Sequence, residues 1–312
     1  MHNMIWLYNR NEMLEEATNG RFIIESHPHG AIMHGDEAFD ATNDGTIDAL
    51  NSTMHTWIGK IPASPLFAAR PLGFTSTQMV AWLEHGGGLA YMYEVLEPFN
   101  FGYTGYTYVS TPEDFCWSNV RMDTLESWKG VKFRCKGFWA DVLQDPRVGA
   151  SVTTIAGAEL YSAAEKGILD AFEYSNASTD IALGFYEICK YLMVPGIHQP
   201  STVIWEAVNA DSWAALPDDL KVIYDAVNHA IAPMAYTDMV IKDAEAFEFF
   251  ANYPGLEILI IPDKLQGQFY EIADDLYAKT RAEDPFFDKV YQSQADFLKK
   301  WKFFEGYQTP KY

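Results

Sequence analysis

Arg134 closes the short run Val131-Lys-Phe-Arg134, which reads as a β-strand. A guanidinium at a strand end can grip a carboxylate through two parallel hydrogen bonds and cannot lose its charge. On the residues alone, an ordinary surface salt bridge is the competing reading. Three other clusters carry residue types suited to chemistry and are set aside. Asp40-Ala-Thr-Asn-Asp44-Gly45 imitates a calcium loop, but its twelfth position is Asn51 instead of a bidentate Glu, and it falls inside a helix. His27, His29 and His34 surround Pro28 and Gly30 with no usual zinc spacing, so they read as a polar loop. Gly86-Gly87-Gly88 lacks the Lys-Ser/Thr of a phosphate loop and reads as a helix stop. No Ser/His/Asp or Cys/His set follows from the sequence order.

The chain that must position Arg134 has 312 residues, 48% of them apolar, enough for two packed domains of ordinary size. With 22 Lys+Arg against 43 Asp+Glu its net charge is −21, which argues against nucleic acid and against an anionic membrane surface as partners. No stretch approaches the ~18 consecutive apolar residues of a membrane span. The N-terminus shows no signal-peptide pattern, because Ile5-Trp6-Leu7 is followed at once by Arg10, Glu12, Glu15 and Glu16. Cys116, Cys135 and Cys189 have no metal-like spacing and read as reduced, mostly buried thiols.

Two segments align without a gap at an offset of 122 residues: Glu37 to Leu50 and Glu159 to Phe172. Glu37/Glu159, Ala41/Ala163, Gly45/Gly167, Asp48/Asp170 and Ala49/Ala171 are identical, and Phe39/Tyr161 and Ile47/Leu169 match in character. Each copy predicts a strand (21–25; 151–155), a short helix, a glycine in the left-handed C-cap position, and a second strand from Ile47 or Leu169. Strand–helix–strand units build parallel α/β sheets. Two of them this far apart predict two similar lobes with a ligand crevice between. The rest reads as helix-rich: 76–83, ending at the glycines; 180–192, ending before Pro195-Gly196; and a long run from Asp211 towards Tyr253 with a fresh start at Pro217-Asp218-Asp219. Residues 102–111 are the candidate first crossing between lobes, 256–261 a strand, and the tail from Gln266 helical.

Five stretches carry a family resemblance. They are Trp128-Lys-Gly-Val-Lys-Phe-Arg134, Glu159-Leu-Tyr to Asp170-Ala-Phe-Glu173, Lys190-Tyr-Leu-Met-Val-Pro-Gly-Ile-His-Gln199-Pro, Ala81-Trp-Leu-Glu-His-Gly-Gly-Gly88 and Ala215-Leu-Pro-Asp-Asp-Leu220. Over almost its whole length the chain resembles the solute-binding proteins of tripartite ATP-independent periplasmic (TRAP) transporters, above all the α-keto-acid- and lactate-binding subgroup. The resemblance implies a two-lobed α/β fold of the periplasmic-binding-protein type, joined by crossing segments and a long helix and closing on ligand by a hinge. The lobes are expected at 1–107 with about 203–250, and at 108–202 with about 251–312. Family members open with a signal peptide and a strand before the helix that here spans about 3–17, so the family's first strand is expected to be missing or replaced.

The resemblance places the carboxylate-binding arginine at Arg134. It also implies a bridging cation held by Glu113, Glu173, the backbone of Tyr174, and Gln199. Such an all-oxygen set suits Ca²⁺ or Na⁺, with no organic cofactor. Two positions depart from the family pattern, which has a neutral group at 113 and Trp at 174; Glu113 adds a charge that favours a divalent ion. Trp57, Phe138 and Tyr174 are the candidate aromatic walls. The implied function is a non-catalytic periplasmic receptor for a small organic acid that serves TRAP membrane subunits, with a homodimer through C-terminal helices as a further expectation. The competing class is a metal-dependent enzyme acting on small acids through Glu113, Glu173 and His55 or His198.

Overall fold

The computed structural model describes residues 2–308. Its strands, in chain order, are β1 (Ala49–Ser52), β2 (Phe101–Val109), β3 (Cys116–Ser118), β4 (Lys132–Arg134), β5 (Ser151–Thr153), β6 (Ala171–Phe172), β7 (Tyr191–Val194), β8 (Val203–Asn209) and β9 (Glu257–Ile260). They form two sheets. The first has the order β1-β8-β2 and is antiparallel throughout. The second has the order β5-β4-β6-β3-β7-β9; β4 is parallel to both β5 and β6, and β7 to β9, while β3 is antiparallel to its neighbours.

The chain passes between the sheets after β2 and again before β8. These crossings, 110–115 and 195–202, run side by side: Ser110 N donates to Thr202 O at 2.9 Å and Glu113 N to Gln199 O at 3.1 Å. The architecture is the two-lobed α/β fold expected, and the crossings hold the chemistry described below.

The helices in chain order begin with α1 (His2–Ala17), α2 (Ala38–Asn43), α3 (Ser76–His85), α4 (Gly88–Leu96), α5 (Phe138–Gln144) and α6 (Leu160–Glu165). They continue with α7 (Ala177–Asp180), α8 (Ala210–Ala215), α9 (Asp218–Ala251), α10 (Asp263–Glu283) and α11 (Pro285–Gln308). The 34 residues of α9 extend about 50 Å at 1.5 Å per residue, long enough to serve both sheets. Asp218 and Asp219 occupy its first turn after Pro217, where carboxylates suit the helix dipole. Near that end α9 packs on α1 and β2. At the other end Ala246 and Phe250 join Trp117 and Phe185 in the core beside the second sheet. The buried Arg10 of α1 is fixed by Glu206 Oε2 on β8 at 2.9 Å and by Asn228 Oδ1 of α9 at 3.1 Å. The chain's last two helices reach both sides: α10 packs on α5, and α11 on α3 and α4.

The repeat is a structural one in its second half. α2 and α6 are six residues each, Gly45 and Gly167 follow at φ +81° and +68°, and β1 and β6 begin at Ala49 and Ala171, still 122 apart. Both strands start two residues later than predicted. The expected strand at 21–25 is absent from both sheets. The segment is tied to α1 and the turn after it instead: Phe22 N donates to Thr18 Oγ1 just past α1, and Asn11 Nδ2 of α1 donates to Ile24 O and to the Ser26 side chain. β1 consequently lacks a parallel partner, and only the second copy forms the parallel unit.

The predicted helix at 180–192 is also overturned. Gly184 adopts φ +72°, which ends the helical path, and Asp180 is drawn into the core by Trp117 Nε1 at 2.7 Å. Tyr191–Val194 then inserts between β3 and β9 as β7. The three cysteines are free and buried, as read from the sequence.

Candidate functional site

Arg134 ends the three-residue strand β4, held on both sides by parallel neighbours. Only 5% exposed, its side chain cannot sweep solvent. Nε donates to Ile155 O at 3.0 Å, and Nη1 donates to Glu173 O at 2.7 Å and Glu173 Oε1 at 3.1 Å. Nη2 has no hydrogen-bond partner among the described residues. The guanidinium is therefore clamped on one side and keeps the two N–H donors of Nη2 for a ligand.

Glu173 follows β6 directly, so the strand pair β4–β6 sets its distance from Arg134. Its Oε1 also accepts from Lys136 N at 3.2 Å. Glu113 lies on the first crossing. Its Oε1 accepts from Gln199 Nε2 at 2.5 Å, and Oε2 stands 3.5 Å from His198 Nε2 on the second crossing. The crossings can come this close because position 196 is glycine: a Cβ there would sit 1.9 Å from the Glu113 carbonyl oxygen.

One ligand atom from each of Glu113, Glu173 and His198 fits within 4.8 Å, the one such three-residue group found among the described residues. Glu113 Oε2 and both ring nitrogens of His198 are buried without a hydrogen bond. Burial, and then the nearby Glu173 carboxylate, push the Glu113 carboxyl well above the usual range, with Arg134 and Gln199 opposing. Burial lowers the His198 imidazole to about 4, and burial, followed by Lys136, lowers that of His55 to about 4. Two carboxylates facing each other out of water, one with an orphaned oxygen, fit a cation between them.

These groups line a cavity of about 260 Å³. Arg134, Glu113, Glu173, Tyr174, His198 and Gln199 form one side, with Lys136 and Ser175 beside them. Thr53 and His55, just after β1, face them, and Ser110, Thr202 and Ile204 come from the crossing strands. The expected set Arg134, Glu113, Glu173, Tyr174 and Gln199 is thus brought together. The Tyr174 ring reaches over Gly157, where a Cβ would lie 2.6 Å from Cε2, and rests edge-on against Phe185.

Two expected wall residues are not at the cavity. Trp57 turns inward, 4% exposed, against Phe39 and Trp205, with Nε1 donating to Asp36 O at 3.0 Å. Phe138 stacks on Tyr277 of α10 at 4.4 Å and an interplanar angle of 4°. Both rings find larger apolar surfaces in the core than the polar cavity offers. Sequence reasoning weighed His198 only as a catalytic base and missed Lys136, Thr53, Ser110, Ser175 and Thr202. A signal existed for Lys136, two residues beyond the strand-ending Arg134.

The profile of the bacterial extracellular solute-binding proteins, family 7, matches residues 7–284. A monocarboxylate 2-oxoacid-binding periplasmic protein of Nostoc sp. is 26% identical over 287 residues, covering 91% of this chain and 77% of that protein. A TRAP periplasmic solute-binding protein from Pseudoalteromonas atlantica, solved with sodium and pyruvate, superposes with TM-score 0.90 at 26% identity, over 97% of this chain and 91% of that one. One from Colwellia psychrerythraea, solved with calcium and pyruvate, gives TM-score 0.90 at 25% identity, over 97% and 92%. With the match spanning both sheets and every residue of the cavity, the chain belongs to family 7 of the bacterial extracellular solute-binding proteins.

Proposed function

We propose that this chain is the periplasmic solute receptor of a TRAP transporter and captures a small 2-oxo or 2-hydroxy acid through Arg134 and a bridging cation. The observation that carries the reading is the meeting of Arg134 with Glu113 and Glu173 in one cavity between the sheets. The acid's carboxylate takes the free Arg134 donors. Glu113, Glu173, Gln199 and the backbone of Tyr174 hold the cation, which screens the two carboxylates from each other and accepts the ligand's oxygens. Relatives were solved with pyruvate and either sodium or calcium. The second carboxylate at Glu113 favours calcium here, because a divalent cation neutralises both Glu113 and Glu173 whereas a monovalent one leaves a net negative charge in the site.

Closing would be a hinge motion about the two crossings and α9, with lobes at 1–107 plus about 203–250 and 108–202 plus about 251–312, α11 reaching back from the second to pack on α3 and α4 of the first. Delivery is to TRAP membrane subunits. A homodimer through the C-terminal helices is supported by Phe303, Phe304 and Tyr307, which stand exposed near the end of α11.

A metal-dependent enzyme is the second reading, because His198 and His55 do reach the cavity beside both carboxylates. Calorimetric titration with pyruvate, lactate and longer 2-oxo and 2-hydroxy acids, with and without calcium, separates the two. The receptor reading predicts calcium-dependent binding, recovery of unchanged acid, and loss of binding in Arg134→Ala. Consumption of the acid favours the enzyme; absence of binding across the panel sinks the receptor.

A further inference from the structure

Lys136 lies two residues beyond Arg134, is exposed, and lines the same cavity. Lys60, Lys132, Lys221, Lys242 and Lys289 each hold a carboxylate within 4 Å. Lys136 does not: its ammonium makes no ion pair or hydrogen bond among the described residues, and of the lysines left unpaired there it alone lines this cavity. In a chain with a net charge of −21, an unpaired cation facing a ligand cavity stands out. Its neighbour His55, half-buried and with its imidazole lowered to about 4 by burial and then by Lys136, does not compete for an anion.

The cavity's charges make the same point. Glu113 and Glu173 cancel Arg134 and Lys136, so a bound divalent cation leaves two positive charges for the ligand to match. A monocarboxylate neutralises one of them. A dicarboxylate neutralises both. The remaining lining is mostly polar residues, Thr53, Ser110, Ser175 and Thr202 among them, with Ile204 as the one aliphatic residue among those described. An alkyl tail would bury the Lys136 ammonium without a partner, whereas a second carboxylate can accept from it.

We infer that this receptor selects 2-oxo dicarboxylates, with the first carboxylate and the oxo group at Arg134 and the cation and the second carboxylate on Lys136. The inference rests on the proposed receptor function and narrows its ligand. Calcium-loaded protein is titrated with two length-matched pairs: oxaloacetate against 2-oxobutanoate, and 2-oxoglutarate against 2-oxopentanoate. At least one diacid should bind about fivefold to tenfold tighter than its matched monoacid, the scale of one partly exposed charge pair. Lys136→Met should collapse that ratio and Lys136→Arg retain it, and raised salt should weaken the diacid more than the monoacid. Lys136 is exposed, so both variants are expected to fold, and circular dichroism checks this. Monoacids binding as tightly as their diacids, or a preference that survives Lys136→Met, overturns the inference and leaves the receptor reading intact. Binding of neither class overturns both.

Discussion

Replacing Glu113 with Gln should stabilise the metal-free protein while removing most of its response to calcium. Ligand atoms of Glu113 and Glu173 come within 4.8 Å, and two unit charges at that distance repel by about 3.5 kcal/mol at an effective dielectric of 20. Arg134 and partial protonation of Glu113 offset part of this, leaving a gain of about 2 kcal/mol for the variant. For 312 residues, at ~2.1 cal/mol/K of unfolding entropy each, that gain raises the midpoint of the metal-free protein by about 3 °C. Calcium at a hundredfold excess over its Kd stabilises the original protein by ~2.7 kcal/mol, or about 4 °C. If losing one carboxylate charge weakens calcium by about a hundredfold, the same calcium stabilises the variant by only ~0.4 kcal/mol, under about 1 °C. Scanning calorimetry after chelator treatment, with and without calcium, reads both effects. A metal-free variant that melts earlier than the original, or a calcium shift that stays near 4 °C, would refute the assignment of Glu113 to the cation.

The same carboxylate predicts a pH dependence. Because burial and Glu173 raise its folded pKa, the metal-free fold binds more protons than the unfolded chain between the ordinary carboxylate range and that raised value. Its contribution to stability is therefore full below the unfolded pKa and lost as pH rises through the folded one. Calcium needs the ionised form, so its apparent affinity should fall as pH drops through that window, with proton release on binding measurable in buffers of different ionisation enthalpy. Gly196→Ala puts a Cβ 1.9 Å from the Glu113 carbonyl, so it should cost about 1–3 kcal/mol and blunt the calcium shift, both visible in the same thermal scans. Trp57→Ala opens a core cavity and should cost about 3–5 kcal/mol in chemical denaturation, with a smaller loss of acid affinity than Arg134→Ala.

Much of this layout was legible in the residues because local physics wrote it twice. Gly45 and Gly167 are left-handed helix stops that no tertiary contact has to impose, and α9 starts where Pro217 fixes the backbone and Asp218 and Asp219 meet the positive end of the helix dipole. Family resemblance supplied Arg134, Glu113, Glu173, Tyr174 and Gln199, and pairing between β4 and β6 and between the crossings brings them together. Direction was what the sequence could not convey. Trp57 and Phe138 are aromatic residues near the site in sequence, and only packing decides that both turn into the core. The helical periodicity of 180–192 lost to Gly184 and to the open place between β3 and β9. Residues 21–25 have strand-like composition, but Asn11 of α1 and Thr18 just after it take up the Ile24 carbonyl and the Phe22 amide that a sheet would use.

The most direct test of the central claim is a crystal structure of the protein grown with calcium and a 2-oxo acid. The account predicts the acid's carboxylate on Arg134 Nη2 and an anomalous cation peak among Glu113, Glu173, Gln199 and the Tyr174 carbonyl. An acid bound away from Arg134, or a filled cavity with no cation between Glu113 and Glu173, would contradict it.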